Sequence, residues 1–100
     1  MTVTVVAQLI INEDEPQALG KYFEITAPLL KAAQAKIVSR YKKLSSVVGC
    51  DKDYTIVVVE YPSEAAVRLV FDSLAYKNAE PYRDRAFKEY QVNIYTSETS

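Results

Sequence analysis

One hundred residues, 49% of them hydrophobic, 25% charged and 11% aromatic, have the size and composition of one folded domain and exclude a disordered chain. Twelve basic against thirteen acidic residues leave a net charge of −1, and the pI of about 5.4 with Lys42-Lys43 as the only adjacent basic pair lacks the basic footprint of a nucleic-acid binder. With no His, no Trp and one Cys, the chain excludes an internal disulfide, haem held through His and every Ser-His or Cys-His nucleophile pair, and it offers no Cys/His set for zinc.

The β-branched run Val3 to Ile11 predicts a first strand. Asn12-Glu13-Asp14-Glu15-Pro16 breaks it with turn residues and a helix-start signal. From Pro16 to about Ala33, Leu19, Tyr22, Phe23, Thr26, Ala27 and Leu30 recur at helical spacing, which predicts a first helix with Pro28 inside it and a bend near Glu24. Lys36 to about Val48 reads as the second strand. Its alternation places Ile37, Ser39 and Tyr41 on one face and Lys36, Val38, Arg40 and Lys42 on the other. Gly49-Cys50-Asp51-Lys52-Asp53 is a turn, and Tyr54 to Tyr61 is the third and most apolar strand. Its continuous Val57-Val58-Val59 predicts cover on both faces.

Ser63 is placed to cap a second helix whose stripe is Ala66, Val67, Val70, Phe71 and Leu74. Pro81 begins a third helical stretch through about Lys88, and Tyr90 to Thr96 alternates as the last strand. Residues 95–100 form a polar tail to a single domain spanning 1–100. No apolar run approaches the roughly 20 residues that span a bilayer, and Met1-Thr2-Val3-Thr4 lacks the basic segment of a signal peptide. The expectation is a cytoplasmic chain with neither membrane nor nucleic acid as partner.

Strand, helix, strand, strand, helix, strand is the split βαβ order, so the expected class is α+β: a ferredoxin-like four-stranded antiparallel sheet with its helices on one face. The other face is then bare. The first and third strands nevertheless carry large apolar residues at consecutive positions, hence on both faces. A bare apolar face of that size exceeds the patches that monomers expose. Packing against a second copy covers it, burying on the order of 1,600 Å².

The run Val59-Glu60-Tyr61-Pro62-Ser63-Glu64-Ala65-Ala66, followed by Ser73, Tyr76, Pro81 and Arg83, resembles a small bacterial family of unknown function within the dimeric α/β-barrel superfamily of ferredoxin-like proteins. The family pattern is Glu-Phe-Pro-Ser, then Ala, then Ser-Pro-Glu-Tyr, then Pro-Leu-Arg. It meets Glu60, Tyr61 in place of Phe, Pro62 and Ser63, then Ser73 and Tyr76, then Pro81, Tyr82 in place of Leu, and Arg83. Tyr22, Pro28 and Ala35-Lys36-Ile37-Val38-Ser39-Arg40 fit as well. Tyr41-Lys42 stands where the family has a Gly pair, Val70 where it has Trp, and Leu74-Ala75 where it has Pro-Glu, which marks a divergent member. The resemblance implies a dimeric α/β-barrel. Relatives in the superfamily include cofactor-free quinol-forming monooxygenases, lactone isomerases and haem degraders; the last depend on the His and Trp that this chain lacks.

The candidates for chemistry are Glu60, Tyr76, Arg83, Arg40 and Tyr22. Glu60 shares a strand face with Ile56 and Val58, and partial burial there would raise its pKa and suit it to general-base work; the alternative is an edge carboxylate paired with Arg or Lys. Tyr76 is placed to donate its hydroxyl to a substrate oxygen, or else to wall the core. Arg83, at the family position, would anchor a carboxylate or enolate, or else pair with Glu60 or Glu80. Arg85 is two residues on and faces elsewhere. Lys36 and Arg40 share a strand face and would complete a basic lining. Tyr22 belongs to the core, with its hydroxyl at the rim of the site. Cys50 has nothing nearby to lower its thiol pKa. The reading is a homodimer that binds a small acidic or carbonyl-bearing organic molecule between sheet and helices, with neither cofactor nor metal. A cofactor-free monooxygenase or isomerase is one alternative, and a non-catalytic structural or interaction domain is another. Whether the chain is an enzyme is left open at this level.

Overall fold

The nine residues of Val3–Ile11 form strand β1, paired on both sides. Its inward positions Val5 and Leu9 are buried. The structure, a computed structural model, describes residues 2–49 and 52–96. Cys50 and Asp51, the middle of the turn read from Gly49 to Asp53, lie outside the described residues, as does the polar tail from 97 onward.

The Asn12 side chain accepts from the Asp14 amide at 3.1 Å and shapes the turn into helix α1, Pro16–Ala32. Pro16 suits the first turn, where its missing N–H costs nothing. The buried stripe of α1 is Ala18, Tyr22 and Thr26, with Ile25, Leu29 and Leu30 packed beside it. That is rotated from the expected stripe: Phe23 is 48% exposed and Ala27 is also exposed. The reason is tertiary, since α1 packs mainly along the helix Leu74–Ala86 and turns Tyr22 onto Phe87 and Tyr90. Pro28 stands inside α1 on its exposed side. The helix closes on Gln34, whose φ of 59° is left-handed. Backbone bonds from Gln34 to Lys31 at 3.1 Å and from Ala35 to Leu30 at 2.9 Å complete a Schellman turn.

Strand β2 is Lys36–Lys42, six residues shorter than the run read to Val48. Its partner β3, Thr55–Tyr61, supplies the cause. Lys42 pairs with Thr55, and past that pair β2 has no strand left to bond. Leu44, Val47 and Val48 stand 99%, 94% and 92% exposed instead. The register also slips between Ile37 and Ser39, so that Ile37 faces Val59 while Ser39 faces Val58. This bulge at Val38 flips the face of everything after it. Arg40, opposite Val57, falls on the inward face, whereas Lys36, opposite Glu60, falls on the outward one. The expected pairing of Lys36 with Arg40 on one face is thereby corrected.

Ser63 caps helix α2, Glu64–Phe71, accepting from the Ala66 amide at 3.1 Å. α2 stops earlier than its stripe predicts, because Ser73 caps a new helix: its Oγ accepts from the Tyr76 amide at 3.0 Å. Helix α3 runs from Leu74 to Ala86 with Pro81 inside it rather than at its start, and Leu74 is exposed at its first position. Strand β4, Phe87–Tyr95, follows directly and begins three residues before the alternation that marked it.

The sheet order is β2-β3-β1-β4, antiparallel throughout. This is an α+β, ferredoxin-like arrangement. Cross-strand partners share a face. Val3, Val5, Ala7 and Leu9 therefore face inward with Thr55, Val57, Val59 and Tyr61 of β3 and with Tyr90, Val92 and Ile94 of β4. The core lies between this face and the helices: Val5, Leu9, Val59 and Tyr61 meet Tyr22, Val67, Val70 and Tyr76. Outward stand Val6, Ile10, Ile56, Val58 and Tyr41, none of them fully buried. Val58 thus has no helix over it, and within this chain only one face of the Val57-Val58-Val59 run is covered. No helix among the described residues is long and apolar enough to cross a membrane.

Candidate functional site

The Ser73 cap sets the phase of α3 and turns Tyr76 inward, where it is 2% exposed. Two helical turns later Arg83 lies on the same side, and its Nη1 donates to the Tyr76 hydroxyl at 3.4 Å. The guanidinium also stands over the rings of Tyr76 and Tyr90, at 5.8 and 5.7 Å from their centroids. A cation over two aromatic faces is held in position by both. Its carboxylate partners are at the rim: Asp84 at 3.3 Å and Glu80 at 3.9 Å.

Beneath this pair lies Tyr22 of α1, 4% exposed. Its hydroxyl is 2.9 Å from that of Tyr76 and 2.6 Å from that of Tyr90. Its ring meets Phe87 edge-on at 5.4 Å, and Phe71 meets Tyr76 at 4.9 Å. A sequence-distant set of side chains, from α1, α3 and β4, is thus joined through phenolic oxygens. Burial raises the pKa of Tyr22 above the phenolic range, and the neighbouring Tyr90 and Tyr76 push it the same way. Burial, with Tyr76 next, also raises Tyr90. For Arg83, partial burial works against the charge, but the bonds to Tyr76 and Asp84 outweigh it and its pKa rises.

A cavity of about 490 Å³ opens over this cluster, lined by Phe71, Tyr76, Arg83, Phe87, Tyr90 and Val92 among others. A second hollow of about 650 Å³, between α2 and β4, shares Phe71 and Val92 with it. Chemically the first cavity combines an apolar wall of Phe71, Phe87 and Val92 with the Arg83 guanidinium, two phenols and a charged rim of Asp84, Lys88 and Glu89. Such a wall with a few convergent polar groups is the usual make-up of a small-molecule site. Among the described residues no group of acidic, Cys or His side chains is placed to hold a metal ion.

Two of the five sequence candidates, Tyr76 and Arg83, line the cavity, and Tyr22 supports them from below without lining it. Glu60 is not brought there. It is exposed on the outward face of β3, opposite Thr4 and Lys36, with the sheet between it and Arg83. Its expected partial burial is therefore corrected: the alternation that ties it to Ile56 and Val58 places all three on the helix-free side. Arg40 is exposed on β2, at the edge of the sheet opposite to β4, and does not reach the cavity. Arg85, as its spacing requires, turns away and pairs with Glu15 at 3.0 Å. Tyr90 escaped the sequence reading. The available signal was its period-two phase with Val92 and Ile94, which places a phenol on the covered face where its hydroxyl needs a partner.

The family model that matches residues 3–95 is DUF1330, a domain of unknown function. The chain belongs to this family. No curated protein matches it in sequence. Among solved structures, it is similar to RPA0582 from Rhodopseudomonas palustris, a protein of unknown function, at 16% identity and TM-score 0.81, over 99% of this chain and 84% of that one. It is also similar to SnoaB, a cofactor-independent oxygenase from Streptomyces nogalater, at 15% identity and TM-score 0.61, over 99% and 95%. A dimeric protein of unknown function and ferredoxin-like fold from Bacteroides fragilis aligns at 12% identity and TM-score 0.56, over 94% of each chain. At these identities the likeness is one of fold. It agrees with a divergent DUF1330 member on the ferredoxin-like frame.

Proposed function

We propose that this DUF1330 chain is a homodimer, joined through the helix-free face of its sheet, and that each copy binds a small acidic or carbonyl-bearing organic molecule in the cavity between α3 and β4. The observation that carries the binding half is Arg83, stacked over Tyr76 and Tyr90 in a cavity that has one apolar wall and an otherwise polar lining. A planar guanidinium in that setting matches a carboxylate or enolate with paired hydrogen bonds. Its present carboxylate partners are exposed at the rim, and pairs of that kind contribute little, so a ligand displaces them at small cost. Phe71, Phe87 and Val92 receive the apolar part of the molecule. The dimer half is supported by the uncovered Val6, Ile10, Ile56 and Val58 and by the dimeric state of the Bacteroides fragilis relative.

A thermal-shift series with small aromatic and aliphatic acids tests the binding half. A ligand that binds only the folded chain raises the melting temperature in a saturable way. The expected result is such a shift with at least one acid, absent in Arg83→Ala. No shift with any acid, or an equal shift in the variant, overturns it. The likeness to SnoaB favours one catalytic version, a cofactor-free oxygenase. Oxygen uptake with quinol substrates, lost in Arg83→Ala, is its signature.

A further inference from the structure

We infer that Tyr22, Tyr76 and Tyr90 form one hydroxyl chain that presents a single phenolic hydrogen to the cavity beside Arg83, so that the site selects an oxyanion, and that Tyr22 is the positioning residue coupling the two ends. The oxyanion half rests on the binding site proposed above; the coupling half stands on the hydroxyl geometry alone.

The argument is a count of hydrogens. Three hydroxyls carry three hydrogens, and the two well-formed hydrogen bonds among them, at 2.9 and 2.6 Å, use two; Tyr76 and Tyr90 also influence each other directly, but without a third bond of that quality. Tyr22 sits in the middle with one hydrogen, so it donates to one neighbour and accepts from the other. Were it to accept from both, its own hydrogen would be buried without a partner, which is costly. The surplus hydrogen therefore belongs to Tyr76 or to Tyr90, and both of these line the cavity. The two polarities interchange by rotation of three hydroxyls with no movement of heavy atoms. Arg83 donates to the Tyr76 oxygen, which makes that hydroxyl the better donor. The favoured direction then runs from Tyr76 through Tyr22 to Tyr90, with the surplus hydrogen at Tyr90.

The rest of the lining points the same way. Arg83 and Lys88 add further donors. Of the carboxylates at the rim, Glu89 is taken up by Lys52 at 2.9 Å and Tyr54 at 3.2 Å, and Asp84, which a ligand on Arg83 displaces, is exposed to solvent that screens its charge. A ligand entering here meets donors and must bring acceptors: a carboxylate, an enolate or a phenolate. Burial holds Tyr22 and Tyr90 in their neutral, donating form at any physiological pH.

Two measurements test this. In the first, tyrosine labelled with ¹³C at the ζ carbon is observed by NMR in the ligand-free protein. Removing the Tyr90 hydroxyl (Tyr90→Phe) reverses the chain and moves the Tyr76 signal; any direct influence of Tyr90 on Tyr76 is separated from the relay by removing Tyr22. In the Tyr22→Phe background the same Tyr90→Phe change leaves the Tyr76 signal where it was. A packing role for Tyr22 predicts no such dependence. An unmoved Tyr76 signal, or a movement that survives without Tyr22, overturns the chain. In the second, benzoate is titrated calorimetrically. Tyr76→Phe and Tyr90→Phe each weaken binding by about threefold or less, because the other end still presents the hydrogen, whereas the double variant loses about tenfold or more, the scale of a hydrogen bond to a charged group. A double variant no weaker than the singles overturns the donor role. Benzoate that fails to bind the unsubstituted protein overturns the oxyanion half together with the proposed function, whereas the NMR result judges the chain by itself.

Discussion

Arg83 carries much of the binding chemistry, and its geometry resists the substitution that keeps its charge. Lys offers one compact ammonium in place of a planar fork stacked over two rings. Arg83→Lys is therefore expected to weaken benzoate binding by roughly tenfold in calorimetry while changing stability by less than about 1 kcal/mol, since the lost contacts are partly exposed. The tyrosines set the alkaline limit. Tyr61, first through burial and then through Tyr76 beside it, has its pKa pushed up to about 12 from 10.0. A group raised on folding contributes stability that is complete below its unfolded pKa and lost as pH climbs to the folded one. Urea unfolding should show a decline in stability from about pH 10 upward, shared by Tyr61 with the likewise raised Tyr22 and Tyr90, and Tyr61→Phe should remove only the part lost between about pH 10 and 12. At the acid end Glu89 behaves oppositely. The hydrogen bond from Lys52 lowers its pKa, so its contribution is present at neutral pH and disappears as pH falls through the folded-state value. Glu89→Gln should remove that part of the acid slope in the same experiment.

Among the elements, two helix ends show where local chemistry overrides a hydrophobic stripe. Leu74 continues the apolar spacing of α2, yet Ser73 accepts the Tyr76 amide and starts α3 there. A side-chain cap of this kind is worth about 1 kcal/mol. Ser73→Ala should cost that much in urea unfolding, and because the cap sets the phase of α3 it should also loosen the Tyr76–Tyr22 contact. The α1 terminus runs the other way. Gln34 holds a left-handed φ of 59° at the position where glycine is favoured. Gln34→Gly should raise stability by on the order of 0.5–1 kcal/mol, measured as a higher urea midpoint with unchanged slope. The end of β2 had no such local signal. Leu44, Val47 and Val48 have strand composition, but their pairing partner runs out at Thr55, and that is a property of β3.

At the scale of the whole molecule, the sheet has a covered side and an uncovered one. Val58, at the centre of the uncovered side, pairs with Val6 and Ser39, and Ile56 beside it pairs with Gln8 and Tyr41. If this face joins two copies, a charge placed at its centre is buried without a partner and separates them. Light scattering should report a dimer for the unsubstituted chain at micromolar concentration and a monomer for Val58→Lys, with the far-ultraviolet dichroism of both alike. A monomeric unsubstituted chain would contradict the dimer.

The alternation of β-branched residues, the helical spacing of α1 and α2 and the order of the elements were sufficient to define an α+β ferredoxin-like frame, because each of these periods is a local property of the backbone. The seven-residue step from Tyr76 to Arg83 was visible in the chain, but not that it is two turns of one helix, since Pro81 between them reads as a helix start and lies inside α3 instead. Three things were decided only in the folded chain. The bulge at Val38, which separates Arg40 from Lys36, arises from register against β3. The exile of Glu60 to the outward face follows from which side the helices cover, a choice its alternation with Ile56 and Val58 cannot make by itself. The meeting of Tyr22, Tyr76 and Tyr90 spans three elements and 68 residues of chain. Hydroxyl contacts over such separations have no period or motif, and only the packing of α1 and α3 over β4 brings them within hydrogen-bond distance.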